Sequence, residues 1–222
     1  MPAAVDRIIR SKRRTVTLIV EGDGSVTVRA PLRLPENAIQ AFAEKHFNWI
    51  EKKKAEMRAI VPIQSKQYQP SENFLYLGRE YSLEVVAGQN KKLILDKRFK
   101  IAESALENAE TVFQNWYRQQ AKQWIIERVK HLADLHQLHY EKIKITSART
   151  RWGSCSPRNV LSFSWRLMLT PPEMIDYVII HELAHTVHHN HSKRFWNLVE
   201  KLLPDFKSRR RQLRQYGKQS LL

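Results

Sequence analysis

The chain has 222 residues and a mass of 26.3 kDa, a length that suggests one or two domains. Hydrophobic residues make up 42% and charged residues 27%, while Gly and Pro total 6 and 9; this is a globular composition that excludes collagen-like and low-complexity chains. Lys plus Arg exceeds Asp plus Glu by 38 to 22, a net charge of +16, which favours polyanionic partners such as nucleic acid, nucleotides or acidic surfaces. A solvated basic surface with no specific partner is the competing reading. No apolar run is long enough to cross a bilayer, and the basic start lacks the apolar stretch of a secretion signal. The single Cys155 cannot form an internal disulfide, so a cytoplasmic location is the expectation. Composition leaves the oligomeric state open.

The first hundred residues are β-rich with one helix. Residues 15–20 carry β-branched residues in rough alternation, a turn follows at Glu21 to Gly24, and Ser25 to Arg29 resumes the pattern, which predicts a hairpin. A helix opens at Pro35 and runs to about Arg58, with Ile39, Phe42, Ala43, His46 and Ile50 at helical spacing. Residues 62–70 read as a linker. Further strands are expected over Tyr81 to Val86 and Leu93 to Ile101, around a turn at Gly88. From Ser104 to about Leu138 the period becomes helical, with Leu106, Phe113, Trp116, Trp124, Ile125, Leu132 and Leu135 as the apolar face. A strand at Ile143 to Ser147 precedes a second hairpin, Arg149 to Ser156 with Val160 to Ser164. The change of period near residue 102 divides the chain into a β-rich region, 1–102, and a second domain, 103–222.

The chemistry concentrates in one helix. Thr170-Pro171-Pro172-Glu173 reads as a helix start, with Thr170 as cap, Pro171 at the first position and Glu173 completing a capping box. The helix that follows, Met174 to about His188, is apolar through Val178, Ile179 and Ile180 and therefore buried. It carries His181-Glu182-Leu183-Ala184-His185. Residues four apart share a helix face, so both imidazoles can reach one metal ion, and Glu182 can take a proton from a metal-activated water. Composition alone gives roughly 0.03 chance matches to this pattern in such a chain. Buried imidazoles and a carboxylate in an apolar helix are costly unless paired or metal-bound.

A catalytic zinc needs a third protein ligand and an open position. His188, His189 and His191 are the candidates, and His191 is preferred. Asn190 suits a left-handed helix terminus, and Ser192 can cap a new helix from Lys193 to Leu203, so a bend there would swing His191 back toward the metal. Surface histidines, or a merely structural zinc, are the alternatives.

The run Arg151 to Ser156, then Trp165-Arg166-Leu167, Asp176 through His185, and Asn190-His191-Ser192 with Phe195-Trp196 together resemble the YgjP-like metallopeptidase family. Arg10 to Arg14 and Val26 to Pro31 fit the same pattern. This family is similar to the wider zincin group, including SprT-like and WLM proteases, some of which act on DNA-bound proteins. The resemblance implies an α+β fold with a zincin-like catalytic domain preceded by the β-rich region. It also implies His181, His185 and His191 as zinc ligands and Glu182 as catalytic base. It supplies no substrate.

Arg151, Trp152 and Gly153 are candidate substrate-binding residues, because an edge strand beside a zincin helix can hold an extended peptide by strand addition. Equally, Trp152 could pack in the core and Arg151 could satisfy a carboxylate such as Asp176. Cys155 reads as a small buried residue. Arg166 and Tyr177 could stabilise an oxyanion or be structural, and are left unassigned. Basic blocks stand at Arg7 to Arg14, at Lys52 to Lys54, and after Asp205, from Lys207 to Lys218.

The expected activity is therefore a zinc-dependent hydrolase, foremost a metallopeptidase acting on protein or peptide. The first alternative is a nucleotide phosphohydrolase of the triphosphate pyrophosphatase type on the same centre, although no Gly-rich phosphate loop is present. The second is a nucleic-acid-associated protein with minor catalysis, binding through its basic surface.

Overall fold

The β-branched runs near the start of the chain pair into the first of three sheets. In the computed structural model, which describes residues 5–21, 24–58 and 66–218, the chain divides into two compact units, Met1–Ile63 and Gln64–Leu222. The change of period near residue 102 therefore falls inside the second unit, between a strand and the helix that follows it. The architecture is mixed α+β. Among the described residues there are six α-helices and three sheets.

In the first unit, β2 (Thr17–Val20) and β3 (Val26–Pro31) form the expected antiparallel hairpin, in register from Val20 opposite Val26 to Thr17 opposite Arg29. Gly22 and Asp23 of its turn lie outside the described residues. A strand the sequence pattern did not reveal, β1 (Arg7–Ser11), adds to β3 in parallel, giving the order β1-β3-β2. Its residues are too charged and too exposed to show alternation. Val26, Val28 and Ala30 alternate onto one face of β3 and are buried, as are Ile39 and Ala43, one helical turn apart. The predicted single helix is two, α1 (Glu36–Lys45) and α2 (Phe47–Arg58). The break is at His46, whose backbone leaves the helical region (φ −106°, ψ 16°) while its ring Nδ1 bonds the Phe42 carbonyl at 2.8 Å. The predicted linker is described only from residue 66 onward.

The basic block after β1 is partly engaged. Arg10 donates to the carbonyls of Pro31, Leu32 and Leu34, and Arg13 donates to the hydroxyls of Thr15 and Thr17.

In the second unit, β4 (Asn73–Tyr76), β5 (Arg79–Val86), β6 (Leu93–Leu95) and β7 (Phe99–Ala102) form a sheet in the order β4-β5-β7-β6. The predicted strand Leu93 to Ile101 is a tight antiparallel pair, Leu95 lying opposite Phe99. The β4–β5 turn has Leu77 and Gly78 both at positive φ, the two-residue hairpin geometry that favours glycine. A Cβ on Gly78 would lie 2.6 Å from Pro171 Cγ, so this turn fits closely against the start of the helix that carries the histidines.

A 3-10 turn (Glu103–Asn108) leads into α3 (Ala109–His136). Its buried line is Ala109, Phe113, Tyr117, Ala121, Ile125, Val129 and Ala133. The alanines at every third step, Ala109, Ala121 and Ala133, let neighbouring elements approach. Phe113 stacks on Phe74 at 4.2 Å between centroids, and the Tyr117 hydroxyl donates to the Leu75 carbonyl at 2.5 Å. The predicted face is corrected in part. Leu135 is 62% exposed and Trp124 only partly buried, because the helix is lined every four residues and that line winds away from the aromatic positions.

The third sheet has the order β8-β10-β9, from β8 (Lys142–Thr146), β9 (Gly153–Cys155) and β10 (Val160–Ser164). The predicted second hairpin is β9–β10, with Leu161 opposite Cys155 and Asn159 at φ 54° in the turn. β8 joins β10 in parallel. Strand β9 thus has β10 on one side and no strand on the other among the described residues.

Candidate metal centre

Helix α4 (Pro172–Ala184) is lined with Met174, Ile175, Val178, Ile179, Ile180, Leu183 and Ala184, all buried, as an all-round apolar sequence requires. Its start corrects the capping expectation. Pro171 is the cap residue and Pro172 the first helical position, with no side-chain cap bond. The Thr170 hydroxyl instead donates to the Leu167 carbonyl at 2.8 Å, closing the buried 3-10 turn Trp165–Leu169.

The helix stops four residues earlier than expected. The Thr186 hydroxyl and amide both take the Leu183 carbonyl, and the His188 amide takes the Ala184 carbonyl. Asn190 is not among the residues at positive φ. Its side-chain carbonyl accepts the Ser192 amide at 3.2 Å, which shapes the approach to α5 (Lys193–Leu202). Ser192 is the α5 cap residue without a hydroxyl bond.

This bend brings His181, His185 and His191 together, with one ring nitrogen of each within 4.8 Å of the others. His181 Nε2 and His191 Nε2 are 3.1 Å apart. His185 Nδ1 meets the His188 carbonyl at 3.0 Å, which leaves Nε2 as its free donor. His188 thus contributes a carbonyl, and neither its ring nor that of His189 belongs to the cluster. That separation suits an N–H···N hydrogen bond when one ring carries its proton on Nε2, or two lone pairs directed at a shared cation. Tetrahedral zinc, with Zn–N near 2.05 Å, sets neighbouring nitrogens ~3.3 Å apart.

The electrostatics favour neutral, metal-competent rings. Burial, then His185, His191 and Arg210, push His181 down to about 3, and burial lowers His185 as well. The His181 Nδ1 is buried without a hydrogen-bond partner among the described residues. Three imidazoles on an apolar scaffold are a donor set that fits zinc.

Glu182 is 5% exposed, and burial pushes its carboxyl up to about 8, with Arg151 drawing it back. It faces β9. A Cβ on Gly153 would lie 2.7 Å from Glu182 Cγ and 2.8 Å from its Oε1. Cys155 on the same strand is pushed up to about 11 by burial and by Glu182. Trp152 is half-buried against the main core, while Arg151 is exposed. Asp176 is taken by Arg128 rather than Arg151, through a two-pronged bond of 2.7 and 2.8 Å that ties α3 to α4. Arg166 is buried, donates to the Ser147 carbonyl at 3.0 Å and lies over the Trp165 ring, which makes it a structural residue.

The first turn of α5 supplies a wall whose role the sequence did not suggest. Phe195 is within 5.0 Å of all three imidazole centroids and stacks on His185 at 4.4 Å. Trp196 lies nearly parallel to His191 at 5.6 Å, and Tyr177 is 5.9 Å from His181. An aromatic pair four and five residues past His191 was the only available signal.

No curated protein matches the chain. Among solved structures, the crystal structure of the metallopeptidase zymogen of Pyrococcus abyssi abylysin is similar, at 20% identity and a TM-score of 0.39, covering 44% of this chain and 99% of that one. The family model described as YgjP-like, metallopeptidase domain, matches residues 14–216. That match runs through both units from residue 14 onward, histidine bend included, and the chain belongs to the YgjP-like metallopeptidase family.

Proposed function

We propose that the chain is a zinc-dependent peptidase in which His181, His185 and His191 hold the ion and Glu182 is the general base. The convergence of three imidazole nitrogens within 4.8 Å, on the helix that also carries Glu182, supports this reading most strongly. Zinc bound there supplies a water acidified toward neutrality and a Lewis acid for the scissile carbonyl. Glu182 takes the proton from the attacking water on a carboxylate oxygen and delivers it to the leaving amine nitrogen. Burial raises its proton affinity toward the working pH, where a group can both accept and release a proton. The close fit at Gly153 holds the carboxylate in one place.

Arg151, Trp152 and Gly153 stand at the start of β9, whose outer side has no strand partner among the described residues. Main-chain groups there would pair with an extended peptide, laying it along the β9 edge beside Glu182.

The decisive test replaces Glu182 with Gln. The expected result is unchanged zinc content and a loss of peptide cleavage of about 10²- to 10⁴-fold. Cleavage at the wild-type rate by that variant rejects the proposal.

A second reading, nucleotide hydrolysis on the same centre, is favoured by the positive charge of Arg151 and Arg210 near it. Metal-dependent pyrophosphate or phosphate release from nucleoside triphosphates, lost in the same variant, would select it.

A further inference from the structure

The last helix, α6 (Phe206–Lys218), carries a run of cations with no acid inside it. Two of them are occupied. Lys207 pairs with Glu200 at 2.9 Å, and Arg209 pairs with Asp205 at 2.8 Å and donates to the Glu173 carbonyl at 3.1 Å. Arg210 is exposed and has no carboxylate partner among the described residues. Its guanidinium lies 4.7 Å from the Trp196 ring centroid. The same indole lies nearly parallel to His191 at 5.6 Å and to Phe206 at 5.6 Å, with Phe195 edge-on at 5.0 Å and His181 tilted at 5.7 Å. Arg210 and His191 therefore both lie against Trp196, which links α6 to the imidazole cluster.

Stacking has two chemical consequences. A guanidinium lying on an indole keeps its in-plane N–H groups free, and those form the two-pronged fork that matches a carboxylate. The ring also limits the rotamers of a long side chain, so less entropy is lost when an anion binds. Through Trp196 the guanidinium lies one aromatic ring away from His191. The acids nearest in sequence, Glu200 and Asp205, are already paired. An anion carried by a substrate at the histidines would thus meet a pre-oriented guanidinium that has no ion-pair partner among the described residues.

We propose that Arg210, seated on Trp196, recognises a carboxylate of the peptide substrate, so that the preferred substrates carry Asp or Glu close to the scissile bond. This rests on the peptidase reading and names its substrate class.

The test uses the zinc-loaded full chain and quenched fluorescent peptides in matched pairs, Glu against Gln and Asp against Asn, at each position flanking the cleavage site. At low salt, wild type should favour the acidic member by about ten-fold in kcat/KM at one position, the size of one charge-assisted contact. Arg210→Met should erase that preference by slowing the acidic member alone, and Arg210→Lys should restore part of it. Equal cleavage of both members at every position overturns the proposal while leaving the peptidase reading intact. So does an Arg210→Met variant that slows both members equally with a lowered melting temperature, since that is a packing role. A binding arm, calorimetry of the same pairs on the Glu182→Gln variant, does not depend on turnover. Tighter binding of the acidic member that vanishes on adding Arg210→Met supports the proposal, and equal binding overturns it. If wild type cleaves no peptide but releases phosphate from nucleoside triphosphates in an Arg210-dependent way, both readings fall and the fork belongs to a phosphate.

Discussion

Gly153 on β9 and Glu182 on α4 approach so closely that a single added Cβ would sit 2.7 Å from one side-chain carbon and 2.8 Å from the Oε1 of the glutamate. The glycine is not needed here for a positive φ; it is needed for space. Gly153→Ala should therefore push the carboxylate off its position. We expect a loss of about 10²-fold in kcat/KM, with zinc content retained and stability lowered by about 1–3 kcal/mol. Kinetics, metal analysis and a denaturant titration on one preparation check all three.

The imidazole cluster is divided between one helix and the bend after it. Replacing either His181 or His191 with Ala should lower zinc affinity by orders of magnitude, because three protein donors are the minimum for a catalytic site. The chain should still fold without the ion, since the core around α3 and α4 is built from apolar side chains. A cooperative thermal transition after chelation is the expected observation; an unfolded apo chain would contradict it.

Glu182 and His181 give the metal-free protein opposite pH signatures. The Glu182 carboxyl rises from 4.5 in the unfolded chain to about 8 in the fold, so its protonated form is the one the fold favours. Its contribution is fully favourable below 4.5 and is lost as pH rises through 8. His181 falls from 6.5 to about 3, so its contribution is complete above 6.5 and is lost as pH falls toward 3. Chelated Glu182→Gln should accordingly be more stable than chelated wild type at pH 8, and the gain should shrink to nothing near pH 4. Melting curves of the two proteins across that range test the sign.

Cys155 should be unreactive in the folded chain. Its thiol is half-buried and pushed up to about 11, with the Glu182 charge opposing the thiolate. Iodoacetamide at pH 8 should modify it far more slowly than a free thiol, and the normal rate should return in denaturant.

Arg128 and Asp176 brace α4 one and a half turns before His181, with Asp176 largely shielded from water. Arg128→Met should cost about 1–3 kcal/mol, less than a fully buried pair because Arg128 itself is partly solvated. Double substitution with Asp176→Asn should recover part of that cost, measured by denaturant titration as a two-mutation cycle.

Much of the layout is written in local spacing. His181 and His185 share a helix face because four residues make slightly more than one turn, and this is true of any helix that carries them. The β2–β3 and β9–β10 hairpins follow from short runs joined by turns, where the partners are already neighbours along the chain. The family pattern likewise rests on ordered residues that can be read one by one. What spacing does not specify is which distant residues meet. The parallel pairings of β1 with β3 and β8 with β10, the fit of Gly153 against Glu182, the claim of Arg128 on Asp176, and the contacts of Trp196 with Arg210 and His191 each join segments with little shared local signal. The early end of α4 belongs to the same class, because it depends on which carbonyls the turn after His185 captures. Periodicity is a property of a backbone and its immediate neighbours, whereas those contacts exist only once a packed core has fixed the distances between elements.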